Sequence, residues 1–152
     1  MSDVAVIIVA AGKSTRFSDK NDKKPFVSVN ARALWLHSVD RFRQRVDVKQ
    51  LILVIAEDDQ QTFDERFRAE AALLNVDVVH GGDSCAESVL NGLKTVDEDI
   101  QLVAVHDAAR PCIAEIWLDE LFEKAKQTGA AILGAPVVST VKRVAVDRVC
   151  ET

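Results

Sequence analysis

The feature that most constrains this chain is the alternation of short apolar runs with stretches of helical period. Val4–Val9, Leu51–Ala56, Val76–Val79, Leu102–Val105 and Ala130–Ala135 are nearly continuous in apolar residues, the pattern of strands covered on both faces. Between them, Trp35, Val39, Phe42 and Val46 recur at helical spacing, as do Phe63, Phe67, Ala71 and Leu74. Val89, Leu90 and Leu93 form a shorter stripe, and Ile113, Trp117, Leu121 and Ala125 a fourth. Each stripe reads as the core face of a helix. Strand and helix in alternation predict an α/β fold with a parallel or mostly parallel sheet and helices on both faces. Ligands in such folds bind at the carboxyl ends of the strands. The segments that follow three of the strands, Ala10–Arg16, Gly81–Ser88 and His106–Pro111, are therefore expected to line one crevice.

At 152 residues the chain is expected to form one domain with a substantial core. A net charge of −5 argues against general nucleic-acid binding. No apolar run approaches the ~20 residues of a membrane span, and Met1-Ser2-Asp3 does not begin a signal peptide, so the cytoplasm is the expected compartment. Cys85, Cys112 and Cys150 are scattered and odd in number, which supports neither a zinc site nor a disulfide framework. After Pro136, residues 137–146 are β-rich with partial alternation and read as an extended arm. The expected division is a core over 1–136 and the start of a β-arm over 137–152, cut short where a return strand would follow.

Three segments carry candidate chemistry. In the first, the run Val4–Val9 ends in Ala10-Ala11-Gly12, followed by Lys13, Ser14, Thr15 and Arg16. Gly12-Lys13-Ser14 has the tail of a P-loop, but the glycine required five positions earlier is Ile7, so this is not a Walker A motif. A strand-to-loop turn of small residues remains, where peptide N–H groups can approach phosphates. Arg16 and Lys24 bracket it, while Lys20 and Lys23 read more simply as solvated. The second segment is His106-Asp107-Ala108-Ala109-Arg110-Pro111. A single carboxylate at a strand mouth suits Mg²⁺, which keeps waters and takes its other oxygens from nucleotide phosphates. Arg110 can fork onto a phosphate. The alternative for Asp107 is a cap on the following turn, with Arg110 as its partner. His106 is as well explained by packing as by catalysis. In the third, Gly81 and Gly82 free the backbone to read a base edge, and Ser84 is placed to cap a helix.

Taken together these motifs resemble one family. Ala10-Ala11-Gly12 with Arg16, then Lys24-Pro25-Phe26, Gly81-Gly82-Asp83, Ser88-Val89, Asn91-Gly92-Leu93, His106-Asp107-Ala108-Ala109-Arg110-Pro111 and Thr140-Val141-Lys142 are similar to the 2-C-methyl-D-erythritol 4-phosphate cytidylyltransferases. Ribitol-phosphate cytidylyltransferases share much of the pattern. The resemblance implies a three-layer, Rossmann-like nucleotidyltransferase fold of the GT-A type, with a mostly parallel sheet and an extended β-arm that pairs two subunits.

It also implies a reaction, cytidylyl transfer from CTP to a polyol phosphate with Mg²⁺. Arg16 and Lys24 would be catalytic. Ala10, Ala11, Gly12, Lys13, Ser14, Thr15, Gly82, Asp83 and Ser88 would bind the nucleotide. Asp107, Arg110 and Thr140 would contact substrate, with Asp107 also holding the metal and Thr140 reaching a partner subunit. The chain departs from the pattern at Ser14, where glycine is usual, and at Cys85, where arginine is usual. Ser139 replaces a common aspartate. The register around Lys24-Pro25-Phe26 leaves Lys23 as an alternative catalytic lysine. A ribitol 5-phosphate enzyme and an inactive CTP-binding domain are the competing readings.

Overall fold

A computed structural model describes residues 3–12 and 23–141. Four strands form a wholly parallel sheet in the order β5-β4-β1-β6: β1 (Val4–Val9), β4 (Val48–Ile55), β5 (Val76–His80) and β6 (Leu102–Asp107). A two-stranded hairpin, β2 (Ser28–Val29) and β3 (Arg32–Ala33), leads into helix α1 (Leu34–Arg43). Its turn residues Asn30 and Ala31 both have positive φ, as a type I′ turn requires.

The chain winds outward from β1 through α1 to β4, then through α2 (Gln60–Arg66) and α3 (Arg68–Leu73) to β5. It then crosses back through α4 (Cys85–Leu93) to β6, on the other side of β1, and continues into α5 (Glu115–Thr128). This reversal moves the crossover helix to the opposite face, as connections of one hand demand. Val4, Val6, Ile8, Leu53 and Ile55 accordingly pack with Trp35, Phe42, Phe63 and Phe122 on one face, while Ile7, Ile52 and Val54 form a second cluster on the other. The point of reversal lies between β1 and β6, where doubly wound sheets open a crevice. Among the described residues no helix is long and apolar enough to cross a membrane.

Four expectations are corrected. Ala130–Ala135 forms no strand, and Ile132, Leu133, Val137 and Val138 are exposed. An apolar run becomes a strand only beside a partner edge, and no strand among the described residues pairs there. Val46 lies beyond the end of α1 and is exposed. The periodic segment from Phe63 to Leu74 is two helices, because Phe67 leaves helical geometry at φ −133°, although Phe63, Phe67 and Ala71 still face the core. The stripe on α4 is misphased, with Ser88 and Gly92 buried where Leu90 and Leu93 are exposed; of the fourth stripe, Ile113 and Leu121 pack against the core, but Leu118 and Phe122 are its buried centre and Trp117 is half exposed.

The α4 result has a steric cause. A Cβ on Gly92 would stand 2.8 Å from Ile7 Cγ2 and 3.3 Å from Val54 Cγ2. The helix approaches the sheet so closely that only small residues fit between them. Gly92→Ala sets a gain of about 1 kcal/mol in helix propensity against an overpacking cost of about 1–3 kcal/mol. Ile7 and Val54 are fully buried and cannot yield, so the cost prevails. The expected net loss is about 1 kcal/mol, read as a fall of about 3 °C in the thermal midpoint.

Candidate active site

The three segments meet through backbone hydrogen bonds at the strand ends. Ala10 N–H donates to the Val54 carbonyl at 2.7 Å, Gly81 N–H to the Ile55 carbonyl at 2.8 Å, and Ala108 N–H to the Val9 carbonyl at 3.0 Å. Each strand end is thereby tied to its neighbour across the sheet. A crevice of about 1220 Å³ opens above them.

Of the candidate residues, Ala10, Ala11, Gly12, Lys24, Gly82, Asp83, Ser88 and Asp107 line this crevice. Lys13, Ser14, Thr15 and Arg16 lie outside the described residues, as do Lys20 and residues 142–152. Two candidates stand apart from the lining. Arg110 is exposed and turned to Asp107, and Thr140 sits on the exposed, irregular segment after Pro136.

Small residues form the floor by necessity. A Cβ on Gly81 would lie 2.5 Å from Ser88 Oγ and 2.7 Å from Ala11 Cβ. The first and third segments thus touch. Ser88 Oγ accepts from Gly82 N–H at 3.1 Å, which holds the glycine turn against α4. The turn ends in a reciprocal cap: Ser84 Oγ accepts from Glu87 N–H at 3.1 Å, and Ser84 N–H donates to Glu87 Oε2 at 3.0 Å. Cys85 follows immediately and faces the crevice as a free thiol.

Asp107 and His106 are the last residues of β6 rather than the first after it. Asp107 Oδ1 accepts from Ala109 N–H at 3.0 Å and Oδ2 from Arg110 Nε at 3.2 Å. The carboxylate therefore caps its turn and pairs with Arg110, while half its side chain stays open to the crevice. His106 donates from Nε2 to the Arg110 carbonyl at 3.1 Å and meets Phe42 edge to face. Burial pushes its pKa down, with the Arg110 carbonyl and Asp107 opposing. This is a packed histidine that closes the turn.

The two lysines of the second loop differ. Lys23 Nζ bonds the carboxylate of Asp59 at 2.8 Å, and Asp59 is nearly buried. Lys24 opens the short 3₁₀ turn Lys24–Phe26 and, like Lys23, lines the crevice. Phe26 anchors that turn, packed against Phe63 and Phe67. The sequence reading passed over Ala56, Glu57 and Asp58, which also line the crevice. They follow β4, so the rule that named the other strand ends points to them as well.

A family model of 2-C-methyl-D-erythritol 4-phosphate cytidylyltransferase (IspD) matches residues 4–152. The chain belongs to this family. It is 38% identical to the enzyme of that name from Rhodopirellula baltica over 96% of its length, and 33% identical to that of Bacillus velezensis over 99%. It spans 64% of the length of each of these curated relatives. Among solved structures it is similar to a 4-diphosphocytidyl-2C-methyl-D-erythritol synthase at a TM-score of 0.76 and 25% identity, covering 100% of this chain and 69% of that one. The bifunctional IspDF of Campylobacter jejuni matches at 0.68 and 28%, covering 83% of this chain and 31% of that one.

The contact between Gly81 and Ala11 makes a sharp test of the crevice floor. Gly81→Ala is expected to cost about 2 kcal/mol by overpacking. Adding Ala11→Gly removes one of the two clashing atoms and should restore part of that loss. Denaturant midpoints of the two single variants and the pair measure the coupling.

Proposed function

We propose that the crevice transfers a cytidylyl group from CTP to 2-C-methyl-D-erythritol 4-phosphate. The observation that carries this reading is the convergence of three small-residue strand ends on one crevice, in a chain of this family. The substrate's phosphate oxygen attacks the α-phosphorus of CTP. A new P–O bond forms as the bond to the bridging oxygen breaks, and pyrophosphate leaves.

The segment Ala10–Thr15 binds the triphosphate, and Gly82, Asp83 and Ser88 receive cytosine and ribose. Arg16 and Lys24 face the charge that grows on the reacting phosphate. Lys24 takes this role by its place in the family motif; Lys23, which also lines the crevice, pairs with Asp59. Arg110 contacts the substrate phosphate on leaving Asp107. Thr140 lies outside its own crevice, which suits contact with a second copy of the chain in a homodimer.

The donor set fits Mg²⁺ that arrives with the nucleotide. Among the described residues no group of three or more acidic, histidine or cysteine side chains is arranged to hold a metal alone. Asp107 supplies one carboxylate, enough for an ion whose other ligands are phosphate oxygens and water. The crevice's described lining also carries more carboxylates (Glu57, Asp58, Asp83, Glu87 and Asp107) than ammonium groups (Lys23, Lys24 and Lys94). The excess of carboxylates in this described lining opposes a bare triphosphate. A bound Mg²⁺ neutralises phosphate charge and orients the oxygens.

Pyrophosphate release with CTP, Mg²⁺ and each alcohol tests the proposal. Turnover with methylerythritol phosphate and little with ribitol 5-phosphate is expected. The reverse preference makes the chain a ribitol phosphate enzyme, and CTP binding without turnover makes it a binding domain. Lys24→Ala should lower kcat by roughly 10²-fold or more with little change in CTP affinity. The same loss from Lys23→Ala, with none from Lys24→Ala, would move the role back by one residue.

A further inference from the structure

We propose that Ser38 and Arg41, on α1, are positioning residues for the segment that carries Asp107 and Arg110. The inference rests on the proposed transferase reading for its meaning, but not for its test.

Ser38 is one of few buried polar residues among those described, and it is fully buried. A serine inside a helix ordinarily faces solvent or bonds back to a carbonyl of its own preceding turn. Ser38 does neither. Its hydroxyl donates to the Ala108 carbonyl at 2.8 Å, 70 residues away in sequence. One turn further along α1, Arg41 Nε donates to the Pro111 carbonyl at 2.9 Å, again 70 residues away. Phe42 then lays its ring against His106 at 4.9 Å. These positions are i, i+3 and i+4, a single helical face. That face is turned to one short stretch of backbone.

The stretch has few other external anchors. Ala108 N–H is tied to Val9, while the remaining bonds of the turn are internal: Ala109 N–H to Asp107 Oδ1, Arg110 N–H to the Asp107 carbonyl, and His106 to the Arg110 carbonyl. Internal bonds preserve the shape of the turn but do not fix its place above the sheet. Ser38 and Arg41 grip it at Ala108 and at Pro111, on either side of Ala109 and Arg110. Asp107 itself is held in the sheet opposite Val9; Ser38 and Arg41 set how the turn beyond it, with Arg110 and the Asp107 cap, stands relative to Ala10–Gly12.

Amide hydrogen exchange on the chain reads this directly, using Ser38→Ala, Arg41→Ala and Arg41→Lys. Arg41 is exposed, so its replacement leaves the core intact. The amides of Ala109 and Arg110 should exchange about tenfold faster in both alanine variants, the scale of one lost hydrogen bond. Exchange in Leu51–Ile55 should not change, and Arg41→Lys, which keeps a donor, should recover much of the effect. Unchanged exchange at Ala109 and Arg110, or an equal rise throughout β4, overturns the proposal. In turnover, the alanine variants should lower kcat about tenfold while KM for CTP moves by less than about twofold. A parent that turns over, with variants of unaltered kcat, also overturns it and leaves the proposed function standing. A parent without turnover counts against the function alone, and the exchange comparison still decides the role of α1.

Discussion

The structure depends on the pairing of β1 along both of its edges. In register, Val9 lies opposite Val54 on one side and Asp107 on the other. All four strands of the main sheet run the same way, so their carboxyl ends arrive at one level. Segments far apart in sequence are delivered to one place by a ladder of backbone bonds. The small residues at those ends then let the segments touch, as Gly81 does Ala11.

Much of this was legible in the sequence. Continuous apolar runs marked four strands; β1 and the end of β4 are covered on both faces as that pattern implies, whereas β6 leaves Val103 and Val105 exposed. Alternation with helical segments gave the sheet type, and the strand-end rule gave the crevice. The phasing of α4 was not legible, nor was the exposure of Trp117 on α5. Leucine spacing on α4 suggested a leucine face, but the gap to the sheet admits only Ser88 and Gly92. Hydropathy reports what a residue prefers; the width of the gap it must enter is a property of the assembled layers.

The candidate site divides in the same way. The residue types at the strand ends could be read directly, and the pairing of Asp107 with Arg110 was one of two readings open from the start. That Lys23 is engaged could not be read, because its partner is Asp59, 36 residues away. Ser38 is a similar case. An isolated serine within an apolar helix carries no signal of its own, and its partner is a main-chain carbonyl, which any residue type supplies.

The packing around the two tryptophans has a practical consequence. The chain contains no tyrosine and only Trp35 and Trp117. Trp35 is wholly enclosed, with Phe63 and Phe67 against its ring and no hydrogen-bond partner for its indole N–H. Trp117 stands half in solvent on α5. The near-ultraviolet emission of the chain therefore comes from one apolar reporter at the centre and one wet reporter at the rim. A blue-emitting and a red-emitting indole give separate optical views of the core and of the outer helix, with no label attached.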